Sequence, residues 1–166
     1  MRILIAGVGN VLRGDDGFGI AALRVLEETI PATGVEFFES GIAGISLVQR
    51  LMDGWDALIL LDALDRGGVP GQVYVLEPDL DSLGEANARS DAVDLHQADP
   101  EGVLRLASAL QALPRHVWIV GCQAVGCDDL GASLSEPVAR AIPEIVEHVR
   151  RLVESLATQR VYDAAR

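Results

Sequence analysis

The chain is poor in cysteine. Its 166 residues hold two, Cys122 and Cys127, too few for a disulfide framework and not in C-x-x-C spacing. Basic residues are also scarce: 13 Lys and Arg stand against 25 Asp and Glu, a formal net charge of -12. That excess repels nucleic-acid phosphate and anionic membranes, so neither is expected as a partner. It suits a cation or a basic peptide, although acidity for solubility alone is commoner. No run approaches the ~20 apolar residues of a membrane span. The opening Met1-Arg2-Ile3-Leu4-Ile5-Ala6 lacks the longer apolar stretch of a secretory leader and reads as a first strand. A cytoplasmic protein is expected. No internal repeat and no linker interrupts the sequence, so residues 1–157 are read as a single α/β domain and 158–166 as a frayed, flexible tail.

Several motifs are missing too. Gly7-x-Gly9 follows the first strand, but Leu12 stands where a dinucleotide fingerprint needs its third glycine. Asp15 and Asp16 follow, where a pyrophosphate wants bare amides and the positive end of a helix. There is no G-x-x-x-x-G-K-[ST] loop, so no nucleotide cofactor is expected. Neither a G-x-S-x-G elbow nor an H-E-x-x-H pair occurs. Cys122 closes an apolar run and reads as a small core residue rather than a nucleophile.

The chain does contain alternating strand and helix signals. Ile3–Ala6 is a short buried strand, and Gly19–Ile30 carries apolar residues at helical spacing until Pro31 and Gly34. Val35–Glu39 reads as a strand, Ser40–Gly44 as a tight loop and Ile45–Met52 as a helix. Asp56–Asp62 is the most continuous apolar run, as in a central parallel strand covered on both faces. Gly71–Leu76 is a further strand. Glu77–Pro100 is long and polar, a loop of the length usually tied to function, and contains His96. Glu101–Leu113 is a helix and Arg115–Gly121 a strand. A last helix starts near Ser135 with an apolar stripe from Ala139 to Leu156, which Pro143 could kink or interrupt.

This alternation predicts a three-layer α/β/α sandwich. Right-handed crossovers put the second strand on one side of the first and the third on the other. The binding crevice of such a sheet lies outside the carboxyl ends of its strands, where the strand order reverses. Topology therefore brings Asp15 or Asp16 towards Asp62. Carboxylates at that mouth, joined by His96 from the long loop, make a set suited to zinc, nickel or iron. Simpler readings compete. An acid behind a glycine turn caps a helix, and on spacing Asp15 is the cap and Asp16 the ligand. Asp65 competes with Asp62. A loop histidine is more often solvated than bound to metal. His116 and His148 read as structural or surface residues.

The residues also form a familiar series. GVGNVLRGDDGFG, ESGIAGISLVQRL, ALILLDAL followed by GVPGQVYVL, the His96-Gln97 pair, and IVGCQ with LGASLSEPV resemble, in order, the motifs of the NiFe-hydrogenase maturation proteases. The likeness spans about residues 1–153. It departs from the family pattern at Ala124, where many members have Pro, and at Ala98-Asp99, where Leu-Gly usually follows His-Gln. The resemblance implies a mixed five-stranded sheet of order 2-1-3-5-4 with strand 4 antiparallel. It implies an endopeptidase that removes the C-terminal extension from the nickel-loaded precursor of a hydrogenase large subunit. The family's metal-binding acid falls on Asp16, its strand-end aspartate on Asp62 and its histidine on His96, with Glu39 a further acid near the cleft. These residues either grip nickel already seated in the substrate or hold a divalent metal that activates water. Nickel recognition is the favoured reading, with an acid near the bond activating water. The alternative to a protease is a nickel-binding chaperone or docking protein for the same precursor.

Overall fold

The apolar run of the third strand sits at the centre of the structure because only there can every side chain be covered. In the computed structural model, which describes residues 1–31, 33–80, 100–127, 130–131 and 133–163 with side chains to residue 158, that strand is β3, Ala57–Leu64. It pairs in parallel with β1, Ile3–Val8, on one side and with β5, His116–Gln123, on the other. The edges are β2, Val35–Gly41, parallel to β1, and β4, Val73–Leu76, antiparallel to β5. The order is β2-β1-β3-β5-β4, as the resemblance implied.

Strand alternation divides the core between two helical layers. Ile3, Ile5, Ile59 and Leu61 face α1, Phe18–Thr29, and α4, Glu136–Asp163. Leu4, Ala6, Val8, Leu58 and Leu60 face α2, Gly44–Leu51, and α3, Pro100–Ala109. All six residues of β1 are buried. Each large side chain so covered contributes roughly 1.5–3 kcal/mol relative to exposure.

Several boundaries differ from the sequence reading. β3 runs past Asp62 to Leu64, because β5 continues beside it and pairs Asp62 with Gly121 and Leu64 with Gln123. Cys122 is therefore within a strand, not in the loop after it. β2 likewise takes in Ser40 and Gly41. Helix α4 passes through Pro143 without interruption and extends to Asp163, beyond Thr158. The missing Pro143 N–H removes one helical bond, while Val138, Ala141, Ile145, Val149 and Leu156 still seat the helix on the sheet. Val138 is in that buried stripe; Ala139 is exposed. Residues 81–99, which include most of the expected long loop and His96, lie outside the described residues.

Two glycines set how closely α1 lies on the sheet. A Cβ on Gly19 would collide with the carbonyl oxygens of Leu61 in β3 and Val8 in β1. One on Gly7 would come 2.7 Å from the Gly19 carbonyl oxygen. Gly7, the first glycine of the incomplete dinucleotide pattern, and Gly19 thus clear space for the protein's own backbone. Gly19→Ala forces α1 away from β1 and β3. It is expected to lower stability by about 3 kcal/mol, read as a fall in the urea midpoint at unchanged slope.

Candidate active site at the carboxyl edge of the sheet

The chain leaves β1 at Val8 and turns at Gly9, whose φ of +118° is open to glycine and strained for other residues. A side chain at Gly9 would strike the main-chain carbonyl of Asp16. The segment thus folds back on itself, and a 3-10 turn over Gly14–Gly17 delivers the two aspartates to the strand end. No side chain caps that turn or the start of α1.

The paired acids have separate tasks. Asp15 is 1% exposed. Its Oδ2 accepts the N–H of Val125 at 2.8 Å and the Ser135 hydroxyl at 2.9 Å, and its Oδ1 accepts the Ser135 N–H at 2.7 Å. It is therefore not the cap of its own helix. Its carboxylate ties the first loop to the loop after β5 and to the entry of α4, satisfying donors with no strand or helix partner. The Asp15 N–H adds a 3.4 Å bond to the Gly126 carbonyl, and the Gly131 N–H reaches the Leu12 carbonyl at 2.8 Å.

Asp16 is half-buried and far less engaged. Its Oδ2 accepts the Asn10 N–H at 3.1 Å, and among the described residues its Oδ1 accepts no hydrogen bond. Burial raises its pKa above 3.8, against the opposing pull of the Asn10 N–H and the Arg13 charge. A carboxylate held this way gains from a positive charge placed against it.

Asp62 lies on the neighbouring strand. It is 7% exposed, follows Leu61 (the partner of Gly7), and so stands level with Val8, one residue short of the Gly9 turn under Asp16. By alternation it faces the α2 and α3 layer, as Leu58 and Leu60 do. Asp65, its competitor in sequence, is exposed and used otherwise. It accepts from Gln123 Nε2 at 3.1 Å and from the Gly67 N–H at 3.3 Å, which lower its pKa.

Glu39 is placed apart from these acids. It follows the parity of Val35 and Phe37 onto the α1 side of β2, where Arg24 grips both of its oxygens, at 2.7 and 3.2 Å. It also lines an open groove of about 450 Å³ along the β2 edge, with Phe38, Ser46, Gln49 and Arg50. His96 lies outside the described residues, and α3 begins four positions later at Pro100. Among the described residues no three acidic, histidine or cysteine side chains converge as a metal site.

Sequence reasoning missed Gln123. It is 4% exposed; its Oε1 accepts the N–H groups of Arg66 and Gly68, and its Nε2 donates to Asp65 and to the Ala124 carbonyl. It fixes the β3–β4 loop against the end of β5. The one signal was a polar residue closing an otherwise apolar strand. Cys122 beside it is buried, with its thiol pushed up to about 11 by desolvation, as a core residue and not a nucleophile.

Residues 20–152 match the family model described as hydrogenase maturation protease. The hydrogenase expression/formation protein HupM of Azotobacter chroococcum is 38% identical across 98% of this chain and 78% of its own length. HoxM of Azotobacter vinelandii is 37% identical across 99% and 77%. The structure of the hydrogenase maturating endopeptidase HybD from E. coli superposes with a TM-score of 0.70 at 28% identity, covering 93% of this chain and 94% of that one. The hydrogenase 2 maturation peptidase of a Thaumarchaeota archaeon gives 0.71 at 31%, covering 93% and 99%.

Two substitutions separate the acids. Asp15→Ala strands the Val125 and Ser135 amides and is expected to cost about 3 kcal/mol of unfolding free energy, measured by urea denaturation. Asp16→Asn keeps an acceptor for Asn10 and removes a poorly solvated charge. Because the folded pKa of Asp16 is raised, its ionisation destabilises the fold progressively as pH climbs through that value above 3.8. The melting temperature of Asp16→Asn should therefore match or exceed wild type, with a gap that opens as pH rises above about 4 and is constant once Asp16 is ionised in the folded protein.

Proposed function

The chain belongs to the hydrogenase maturation protease family, and from that premise we propose how its site works. It is a hydrogenase maturation endopeptidase, a peptide-bond hydrolase. Its substrate on our reading is the nickel-loaded precursor of a NiFe-hydrogenase large subunit, from which it removes the C-terminal extension in the cytoplasm. Asp16, Asp62 and His96 contact the nickel that the substrate carries. The observation that supports this most is the state of Asp16: a poorly solvated carboxylate with its Oδ1 unengaged among the described residues, above the strand end beside Asp62. A metal cation placed against such a carboxylate offsets the cost of its charge.

The substrate's nickel is on this account a mark and an anchor. Holding it fixes the adjoining tail, so the scissile bond is presented in one geometry and much of the barrier is met by positioning. A carboxylate of the cleft then takes the proton of the attacking water. Glu39, held by Arg24 beside the edge groove, is assigned to the path of the extended tail rather than to the nickel. A resident divalent metal at Asp16, Asp62 and His96 is the second mechanism, since two carboxylates and an imidazole suit such an ion. The docking-protein alternative has less support, because similar chains of known structure carry peptidase and endopeptidase names.

The test is incubation of purified protein with nickel-loaded precursor, followed by intact-mass measurement. Cleavage appears as loss of a C-terminal peptide; binding without mass change would make the protein a chaperone. Asp16→Asn and Asp62→Asn should each reduce processing by more than about 100-fold with unchanged circular dichroism. Full processing by both overturns the assignment.

A further inference from the structure

Eleven large apolar side chains are exposed among the described residues, and six of them stand on the loops at one end of the sheet. Val11 and Leu12 follow β1, Ile42 follows β2, Val69 follows β3, and Val125 and Leu130 follow β5. Leu12 is 63% exposed and Leu130 is 77% exposed. Single exposed apolar residues are ordinary, but this concentration around the mouth that contains Asp16 and Asp62 is not. Of the other five, Val25, Ile45 and Val75 stand singly on α1, α2 and β4, while Met52 and Leu110 line a separate groove at the amino-terminal end of the sheet.

The loops are also cross-tied. Arg13 forms a bridge with Leu130, and Gly131 donates to Leu12. Asp15 anchors Val125, and the Gly9 N–H meets the Gly41 carbonyl at 3.1 Å beside Ile42. The Gly71 N–H donates to the Gln123 carbonyl at 2.9 Å, fastening the loop that carries Val69. Apolar groups on a pre-formed frame lose little freedom when a partner covers them.

We propose that this apolar rim docks the folded body of the precursor, so that the protease recognises a protein surface next to the tail as well as the tail itself. The inference rests on the endopeptidase reading. A tail that enters the cleft must cross the rim, so the rim is continuous with the substrate's path. Its partner surface is apolar and neutral to basic, since this chain carries a net charge of -12. The body supplies apolar contact area, and the nickel and tail supply register.

The experiment compares Leu12→Glu/Leu130→Glu with Met52→Glu/Leu110→Glu, a pair also exposed but at the amino-terminal end of the sheet. Melting temperatures of both should stay close to wild type, because each of the four residues is at least half exposed. With nickel-loaded precursor, the rim variant should raise KM about tenfold or more with kcat within about twofold, while the control stays at wild-type values. A direct binding measurement, with Asp62→Asn in every background to prevent turnover, should show the same loss of affinity. Unchanged KM and Kd overturn the proposal, as does an equal loss in the control. Sedimentation showing a wild-type dimer that the rim variant dissociates would assign the surface to a second copy and also overturn it. Absence of cleavage by wild type would sink the endopeptidase reading, and the binding comparison would still judge the rim.

Discussion

The buried carboxylate of Asp15 is the connection on which the geometry of the site depends. Three donors from two distant segments converge on its oxygens, the main chain of Val125 and the main chain and hydroxyl of Ser135. Without it, among the described residues, the first loop, the loop after β5 and the start of α4 share only a few main-chain bonds. Hydrogen bonds to an ionised group in a dry setting are worth more than ordinary ones, and losing the acceptor strands the donors. The next residue is then placed by its neighbour. Asp16 shares a turn with Asp15, so fixing one fixes the approach of the other to the end of β1.

A pair of identical side chains thus divides saturation from readiness. Asp15 has partners on both oxygens and is spent on architecture. Asp16 has, among the described residues, one main-chain donor, and a burial cost that protonation relieves. The conflict between charge and burial is local, at the open end of the sheet and not in either core layer. Functional sites are commonly built so, with the cost of an under-solvated charge carried by the surrounding fold.

Much of the architecture was legible in the sequence because it follows from period and connectivity. The unbroken run ALILLD had to be covered on both faces, and the reversal between β1 and β3 had to bring the Asp15–Asp16 loop towards Asp62. The antiparallel fourth strand came from family resemblance, since GQVYVL reads alike in either direction. The division between Asp15 and Asp16 was less accessible, because it depends on donors more than 100 positions away. The same holds for Gln123, whose partners belong to a loop that meets it only in three dimensions. The part played by Gly7 and Gly19 was not legible: they answer to each other, to Val8 and to Leu61, and the motif alone does not say what approaches them. Glu39 was placed near the cleft by motif, while strand parity turned it towards Arg24.

The outer strand β2 has a further consequence for how the molecule behaves at high concentration. An open edge is a template on which a second chain can extend the sheet, and fibrillar aggregates begin at such places. Here Glu36 and Glu39 stand on that edge, each engaged by an arginine, Arg50 at 2.7 Å and Arg24 at 2.7 Å. A passing strand would have to displace or desolvate these charges before it could pair. The ion pairs contribute little as cement, being exposed and screened. Their larger effect is colloidal: charges fixed along the edge make it a poor seed for strand-on-strand aggregation.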